Sequence, residues 1–506
     1  MRKLFEFHGG VHPPDHKTES TGRPIAVAPV PSRLVIPLSQ HIGNPAKPLV
    51  QAGDKVLKGQ MIGMADGYVS ACVHAPTSGT VVAVGLYRVP HPSGLDGPCI
   101  AIDSDGEDRW IEHQAIDYLN LEPDAVRQRL RDAGLVGLGG AVFPSYVKLD
   151  PHQAPEITTL VLNGAECEPW ITCDDMLMRE RAAEVVEGLR IMHHLLGTRE
   201  VLIAIEDNKP EAAEAMRIAA AETGFEIVVI PTLYPSGGGK QLTEILIGKE
   251  TPTGGRSTDV GVQIFNVGTA YAVARAVRHG EPLISRIVTV TGNVRRPQNF
   301  EVLLGTPVEE LVALTGMPRD DTSGYIMGGP MMGFELHSTQ VPVVKAMNCV
   351  IAESDALFPP AARALPCIRC TQCAQVCPVE LQPQELYWFA KSKNLGKAQE
   401  YNLFDCIECG CCSYVCPSRI PLVDYYRFAK SEIWAREKEK KAADVARERH
   451  EFRLFRQERE KEERAAKMAQ KAAASKPTAA TPAPDADAKK AAIQAAIERA
   501  KAKKAG

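Results

Sequence analysis

The chain has 506 residues, 44% of them hydrophobic and 24% charged, with a formal net charge of −4. That is room for about three domains of ordinary globular composition, and it offers no basic field for a nucleic acid. With no apolar run of about 18 residues to span a bilayer and no apolar stretch behind the basic start MRKLFEFHGGVHPPDHK, neither a membrane span nor a secretory signal is expected, which points to the cytosol or the cytosolic face of a membrane.

Residues 1–32 begin rich in Pro, His and Gly without periodicity and read as an extended arm. From 33 to 110, short strands such as LVIPL and SGTVVAVG alternate with turns at Gly53, Gly59 and Gly79, the pattern of a small all-β unit. A helix is expected over 123–133, opened by Pro123 and closed by Gly134. Behind it comes the glycine-rich loop GLVGLGGAVFP.

That loop is not a dinucleotide fingerprint, because a helix rather than a strand precedes it and Val142 stands where a third glycine belongs. Gly137, Gly139 and Gly140 still let backbone approach a flat or phosphorylated ligand. Lys148 offers a phosphate partner and Phe143 a ring to stack on. The plain alternative is a glycine-rich turn.

ITTLVLNG reads as a strand, and Asp174 as the cap of one helix reaching about 196, closed by Gly197. VLIAI, a helix over about 210–222 and IVVI follow, so 120–258 is an α/β domain with a largely parallel sheet. Ligands bind beyond the carboxyl ends of such strands. Asn163, Glu166 and Glu168 of NGAECEPWITCDD stand there, as ligand acceptors or as solvated loop carboxylates. SGGGKQ and FNVGTA add a glycine turn and Asn266. Residues 259–350 change to a small α+β pattern.

Cysteines dominate 360–430. Of 14 in the chain, eight fall into two copies of C-x2-C-x2-C-x3-C-P: Cys367, Cys370, Cys373, Cys377 and Cys406, Cys409, Cys412, Cys416. Cys72, Cys99, Cys167, Cys173 and Cys349 are scattered and read as buried thiols. Paired structural zincs need neither a third cysteine at this gap nor a proline after the fourth. Three close cysteines wrap one cubane, and the fourth leaves on another heading to reach the second cubane. The expected ligand sets are therefore Cys367, Cys370, Cys373 and Cys416 for one [4Fe–4S] cluster, and Cys377, Cys406, Cys409 and Cys412 for the other, with Cys411 surplus. From 434 to 506 the chain is an Ala/Lys/Glu/Arg tail. It is expected to form a solvated helix with pairs such as Glu437/Lys441, Glu460/Arg464 and Glu463/Lys467, a linker near 475–485 and a second helix.

Taken in order, GGVHPPDHK, GLVGLGGAVFPSYVKL, NGAECEPWITCDD, YPSGGGKQL, FNVGTAYAV and the two cysteine motifs resemble the C subunit family of the Rnf (Rsx) ion-translocating electron transport complex. The middle also resembles, more distantly, the flavin- and NADH-binding subunit of respiratory complex I. The resemblance implies a biotinyl-lipoyl-like hammerhead at 33–110, with DGYVS in place of a lipoyl lysine turn. It implies a Rossmann-like FMN domain at 120–258, a soluble-ligand-binding β-grasp module at 259–350 and a helical two-cluster ferredoxin-type domain at 360–430. Gly137, Gly139, Gly140, Lys148, Asn163, Asn266 and Thr269 would line FMN, with Phe143, Glu166 and Glu168 nearer the dinucleotide. Val142 and Gly268, the latter where the complex I subunit has an acidic residue, depart from the pattern. The implied role is electron input from NADH through FMN and two clusters to other Rnf subunits, at the cytoplasmic face of the bacterial inner membrane. A soluble flavin and iron–sulfur reductase, such as a microcompartment cobalamin reductase, is the alternative. A scaffold that has lost its flavin is a further one.

Overall fold

A computed structural model describes residues 2–150, 156–316, 318–360, 362–475 and 486–502. The chain divides into two units, Met1–Ser431 and Glu432–Gly506.

The first unit opens with the arm, which is extended but not featureless. It carries one helical turn, Thr18–Thr21, and the strand Ala26–Val27. That strand pairs with Phe300 and Glu301 and so belongs to the β-grasp sheet. The all-β unit follows as two antiparallel sheets, one of four strands and one of three. They enclose Leu34, Ile36, Ile62, Val81, Ile100 and Ile102, all buried. The DGYVS turn is pinned to the next domain: Tyr146 donates its hydroxyl to the Tyr68 carbonyl, and Arg131 donates to that of Gly67 at 3.1 Å.

The flavin-type domain is built on four parallel strands in the order Glu226–Ile230, Glu200–Glu206, Thr159–Gly164, Val262–Asn266. Leu160, Val161 and Leu162 are covered on both faces, which is why the central strand is an unbroken apolar run rather than an alternating one. The boundary expected at 258 is corrected here. Val262–Asn266 and the helix Val267–Arg278 complete this sheet, and the β-grasp strands begin at Ser285. The single helix expected from Asp174 to 196 is also two, Cys173–Glu180 and Ala182–Leu196, broken at Arg181, whose φ of −130° is not helical. Gly197 closes the second with φ +62°.

The β-grasp module forms a six-stranded sheet with the arm strand at one edge. Its Lys345 is the joint of three domains. The buried amine donates to the carbonyls of Cys72 (3.0 Å) and Gly134 (2.6 Å), and the backbone amide donates to Gln40 Oε1 (3.0 Å). Burial pulls the amine down from 10.5 to about 7. Between those values the unfolded chain binds the extra proton and the native one does not, so stability should rise with pH across that window. Below about 7 the cost of the buried charge is present in full. Lys345→Met should flatten the rise in melting temperature between about pH 7 and 10; an equal slope in both proteins would contradict it.

The two cysteine motifs are separated by the helices Pro383–Lys391 and Leu395–Glu400. A helix from Leu422 to Ala474 follows, starting earlier than the tail expected from 434. Its first turns bury Leu422, Val423, Tyr426 and Ala429, so they pack as part of the cysteine domain. In the second unit the rest of this helix is mostly exposed, as is the helix Ala486–Ala502. Glu460 and Glu463 pair with Arg456 (3.6 Å) and Arg459 (3.4 Å), one turn back rather than one turn on. The expected linker lies mostly outside the described residues. No described helix is long and apolar enough to cross a membrane.

Candidate flavin and iron–sulfur sites

The strand order reverses between Thr159–Gly164 and Val262–Asn266, and Asn163 and Asn266 are register partners at their carboxyl ends. This is the switch point at which open α/β sheets bind ligands. The glycine loop closes over it. Gly137 donates its amide to the Phe143 carbonyl (2.8 Å), Leu138 donates its amide to Thr269 Oγ1 (2.9 Å), and Gly139 lies against Asn266. Gly139 and Gly140 present bare, exposed backbone. The helices Gly239–Ile247 and Val267–Arg278 both start at this end of the sheet. Open backbone beside helix N-termini at such a switch point is the donor set for a planar, phosphorylated cofactor.

Gly137, Gly139, Gly140, Asn163, Asn266 and Thr269 thus converge, and the polar side chains among the expected residues already have partners within the chain. Asn163 donates to the Gly237 carbonyl (2.9 Å) and accepts from the Ala165 amide (3.0 Å). Asn266 caps its helix by accepting from Gly268 (2.9 Å) and donates to Asp174 (2.6 Å). Both amides therefore fix loops. Lys148 donates to the Ile264 carbonyl and lies 4.4 Å from the Phe265 ring centroid, with burial lowering it to about 8. Glu166 is not a free acceptor. It takes the amides of Asp174 (2.8 Å) and Asp175 (3.2 Å), capping the helix at Cys173–Glu180. Burial raises both Glu166 and Asp174, and the Glu166 carboxylate raises Asp174 further. Glu168 takes the amides of Met331 (2.7 Å) and Met332 (3.1 Å), tying the β-grasp module to the flavin-type domain. Phe143 is half-buried in the loop.

Val142 does adopt the left-handed region, at φ +43°. A β-branched residue there costs roughly 1–2 kcal/mol. Val142→Gly should therefore raise the melting temperature or leave it unchanged despite losing a partly buried side chain; a fall of several degrees would show that the packing outweighs the strain.

A separate cavity of about 250 Å³ lies where the arm, all-β unit, flavin-type domain and β-grasp module meet, lined in part by Trp110, Asp174, Tyr271 and Arg286. None of the expected site residues lines it.

The cysteines line two further cavities. Cys367, Cys370, Cys373 and Cys416 share one. Cys377, Cys406, Cys409 and Cys412 share the other, with Cys411 also on its wall. The fourth cysteine of each motif is thus in the cavity of the other. Arg369 and Glu408, Thr371 and Gly410, and Glu380 and Arg419 all have positive φ, so the left-handed kinks recur at matching positions of both motifs. Alternating hand along a loop turns successive N–H groups to one side, making a concavity suited to an anionic cluster. Four thiols and such a nest fit a [4Fe–4S] cubane in each cavity. The surroundings differ: Cys370 is exposed at the first cavity, beside Ile368 at 67% exposure, whereas Cys377, Cys409 and Cys412 are buried at the second.

Models of four families match in this order: the RnfC barrel sandwich hybrid domain over 5–107, the Nuo51 FMN-binding domain over 130–275, the SLBB domain over 287–335 and the 4Fe-4S dicluster domain over 366–420. The C subunit of the ion-translocating oxidoreductase complex of Salmonella dublin is 49% identical over 506 residues, covering 99% of this chain and 70% of that one. The chain belongs to the RnfC family. The corresponding Pseudomonas aeruginosa protein, also named as the C subunit of that complex, is 49% identical over 468 residues, 92% of this chain and 60% of its own length. This RnfC chain therefore spans between 60% and about three quarters of the first relatives it matches. Among solved structures, an NAD+-reducing [NiFe]-hydrogenase in the H2-reduced state is similar at TM-score 0.43 and 20% identity, over 62% of this chain and 61% of that one, a likeness too weak to carry an argument. As an RnfC member the chain combines an FMN-binding domain with a 4Fe-4S dicluster domain.

Proposed function

We propose that this RnfC chain is the electron-input subunit of a membrane-bound, ion-translocating oxidoreductase, peripheral on the cytoplasmic face of the bacterial inner membrane. Bound FMN would supply the exchange between a hydride from NADH and single electrons, which two [4Fe–4S] clusters relay toward other subunits. The glycine loop, Asn163, Asn266 and Thr269 shape the flavin crevice. Cys367, Cys370, Cys373 and Cys416 hold one cluster, and Cys377, Cys406, Cys409 and Cys412 the other.

The observation that carries this reading is the unequal setting of the two cysteine cavities. The second abuts the flavin-type domain, where Tyr234 donates to the Cys409 carbonyl at 2.6 Å. The first opens outward at Cys370 and Ile368. A buried site next to the flavin domain suits electron entry, and an exposed one with apolar neighbours suits exit to a partner. Anaerobically purified protein should contain about eight irons per chain and bind FMN, and NADH should then bleach its cluster absorbance. Protein that binds no flavin, or whose absorbance NADH leaves unchanged, would sink the reading.

A further inference from the structure

Three backbone carbonyls at the second cysteine cavity each accept a hydrogen bond from a different part of the chain. His8 of the arm donates from Nδ1 to the Cys377 carbonyl at 2.9 Å. Tyr234 of the flavin domain donates its hydroxyl to that of Cys409 at 2.6 Å. Lys430, near the start of the long helix, donates from Nζ to that of Cys406 at 2.7 Å. These cysteines come from both motifs but share one cavity. Tyr234 and Lys430 are buried, at 2% and 6% exposure. Lys430 also pairs with Glu408 (2.8 Å), which takes Arg427 as well (3.0 Å).

Among the described residues, the first cavity has no such ring. The Cys370 carbonyl accepts from the hydroxyl of its own neighbour Thr371 at 2.7 Å. Among the described residues, no side chain from another domain donates to the carbonyls of Cys367, Cys373 or Cys416.

We infer that His8, Tyr234 and Lys430 are positioning residues that raise the reduction potential of the cluster held by Cys377, Cys406, Cys409 and Cys412, while leaving that of the other cluster alone. The inference rests on the two cavities being cluster sites. Reduction adds a negative charge to a cluster. Each donor points the positive end of a dipole, or a cation, at a carbonyl of a ligating residue, and so favours the electron-rich state. In a buried setting the effect is stronger than in water. The same three contacts tie the arm, the flavin domain and the long helix to the cluster loops, so one set of bonds sets both position and potential.

The test is a redox titration of both clusters by electron paramagnetic resonance, with iron counted in each sample. Cys370→Ser, in the other loop, tells the two signals apart. Tyr234→Phe removes a single oxygen. It should keep about eight irons per chain and weaken the one-electron reduction of the second cluster by roughly threefold to tenfold, where tenfold is about 59 mV. The first cluster should not move. Lys430→Gln should act in the same direction, and Lys430→Arg should restore most of the shift. Unmodified protein with far fewer irons would remove the reading beneath the inference. Variants with full iron whose two potentials stay put, or move together, would overturn the inference itself. Loss of iron from Tyr234→Phe would mark the contact as a structural joint only and overturn it too.

Discussion

Cys416→Ser should strip the cluster from the opposite motif, leaving about four irons of eight per chain. Cys416 shares its cavity with Cys367, Cys370 and Cys373, not with the cysteines nearest in sequence. A serine hydroxyl is a poor substitute for the soft thiolate that iron–sulfur sites select. The three abandoned cysteines should become reactive to alkylation, and Cys406, Cys409 and Cys412 should stay protected. Cys377→Ser should give the mirror result. Cys411→Ser should keep both clusters. Its side chain is fully buried beside Tyr234 and Cys409, so a hydroxyl there costs about 1–3 kcal/mol in packing and desolvation, which appears as a lower melting temperature and not as lost iron. Alkylation of Cys406, Cys409 and Cys412 in Cys416→Ser would mean that each motif closes on itself.

Gly188→Ala should be the most damaging single methyl in the flavin domain. Gly188 lies on Ala182–Leu196 where that helix crosses Val267–Arg278, and a Cβ there would overlap the carbonyl oxygen of Ala270. Backbone cannot step aside as a side chain can, so the helices must part, at about 1–3 kcal/mol or more. Residue 269 is next in line, and its hydroxyl holds the amide of Leu138 in the glycine loop. Parting the helices therefore loosens the loop over the switch point, and FMN affinity should fall together with the melting temperature. An unchanged melting temperature would show that the crossing has slack.

Some of this was plain in the sequence because chemistry forces it there. Cluster ligands must recur at fixed gaps, so the two cysteine motifs could be read directly, and the expected exchange rests on that spacing and on the cavities the cysteines share. Lys148, Glu166 and Glu168 show the opposite case. Their types suggest ligand contacts, but a charged group binds whichever partner the fold brings nearest, and here those are a carbonyl and two pairs of amides. The strand Val262–Asn266 was assigned to the wrong domain because a parallel strand carries no mark of its neighbour until it pairs. The helix break at Arg181 has neither Gly nor Pro to announce it. His8, Tyr234 and Lys430 sit in no motif that names a role. The arm was read only as extended, although the family-like stretch GGVHPPDHK starts in it at Gly9, where a Cβ would come within 2.5 Å of the Val376 carbonyl carbon.

That arm has a consequence for how the protein is made. Phe5 bonds to Ile245, Val11 to Tyr234, Gly10 to Val376, and His8 to Cys377, which is 369 residues further along. The arm therefore cannot complete its contacts until translation has passed Cys377. Domains usually fold one after another from the N-terminus, and the all-β unit can do so here. The cysteine exchange cannot: a nascent chain that stops before Cys416 has one cavity still a ligand short. A full set of cysteines in both cavities therefore needs translation through Cys416, and the arm's bonds to Val376 and Cys377 wait for that same domain.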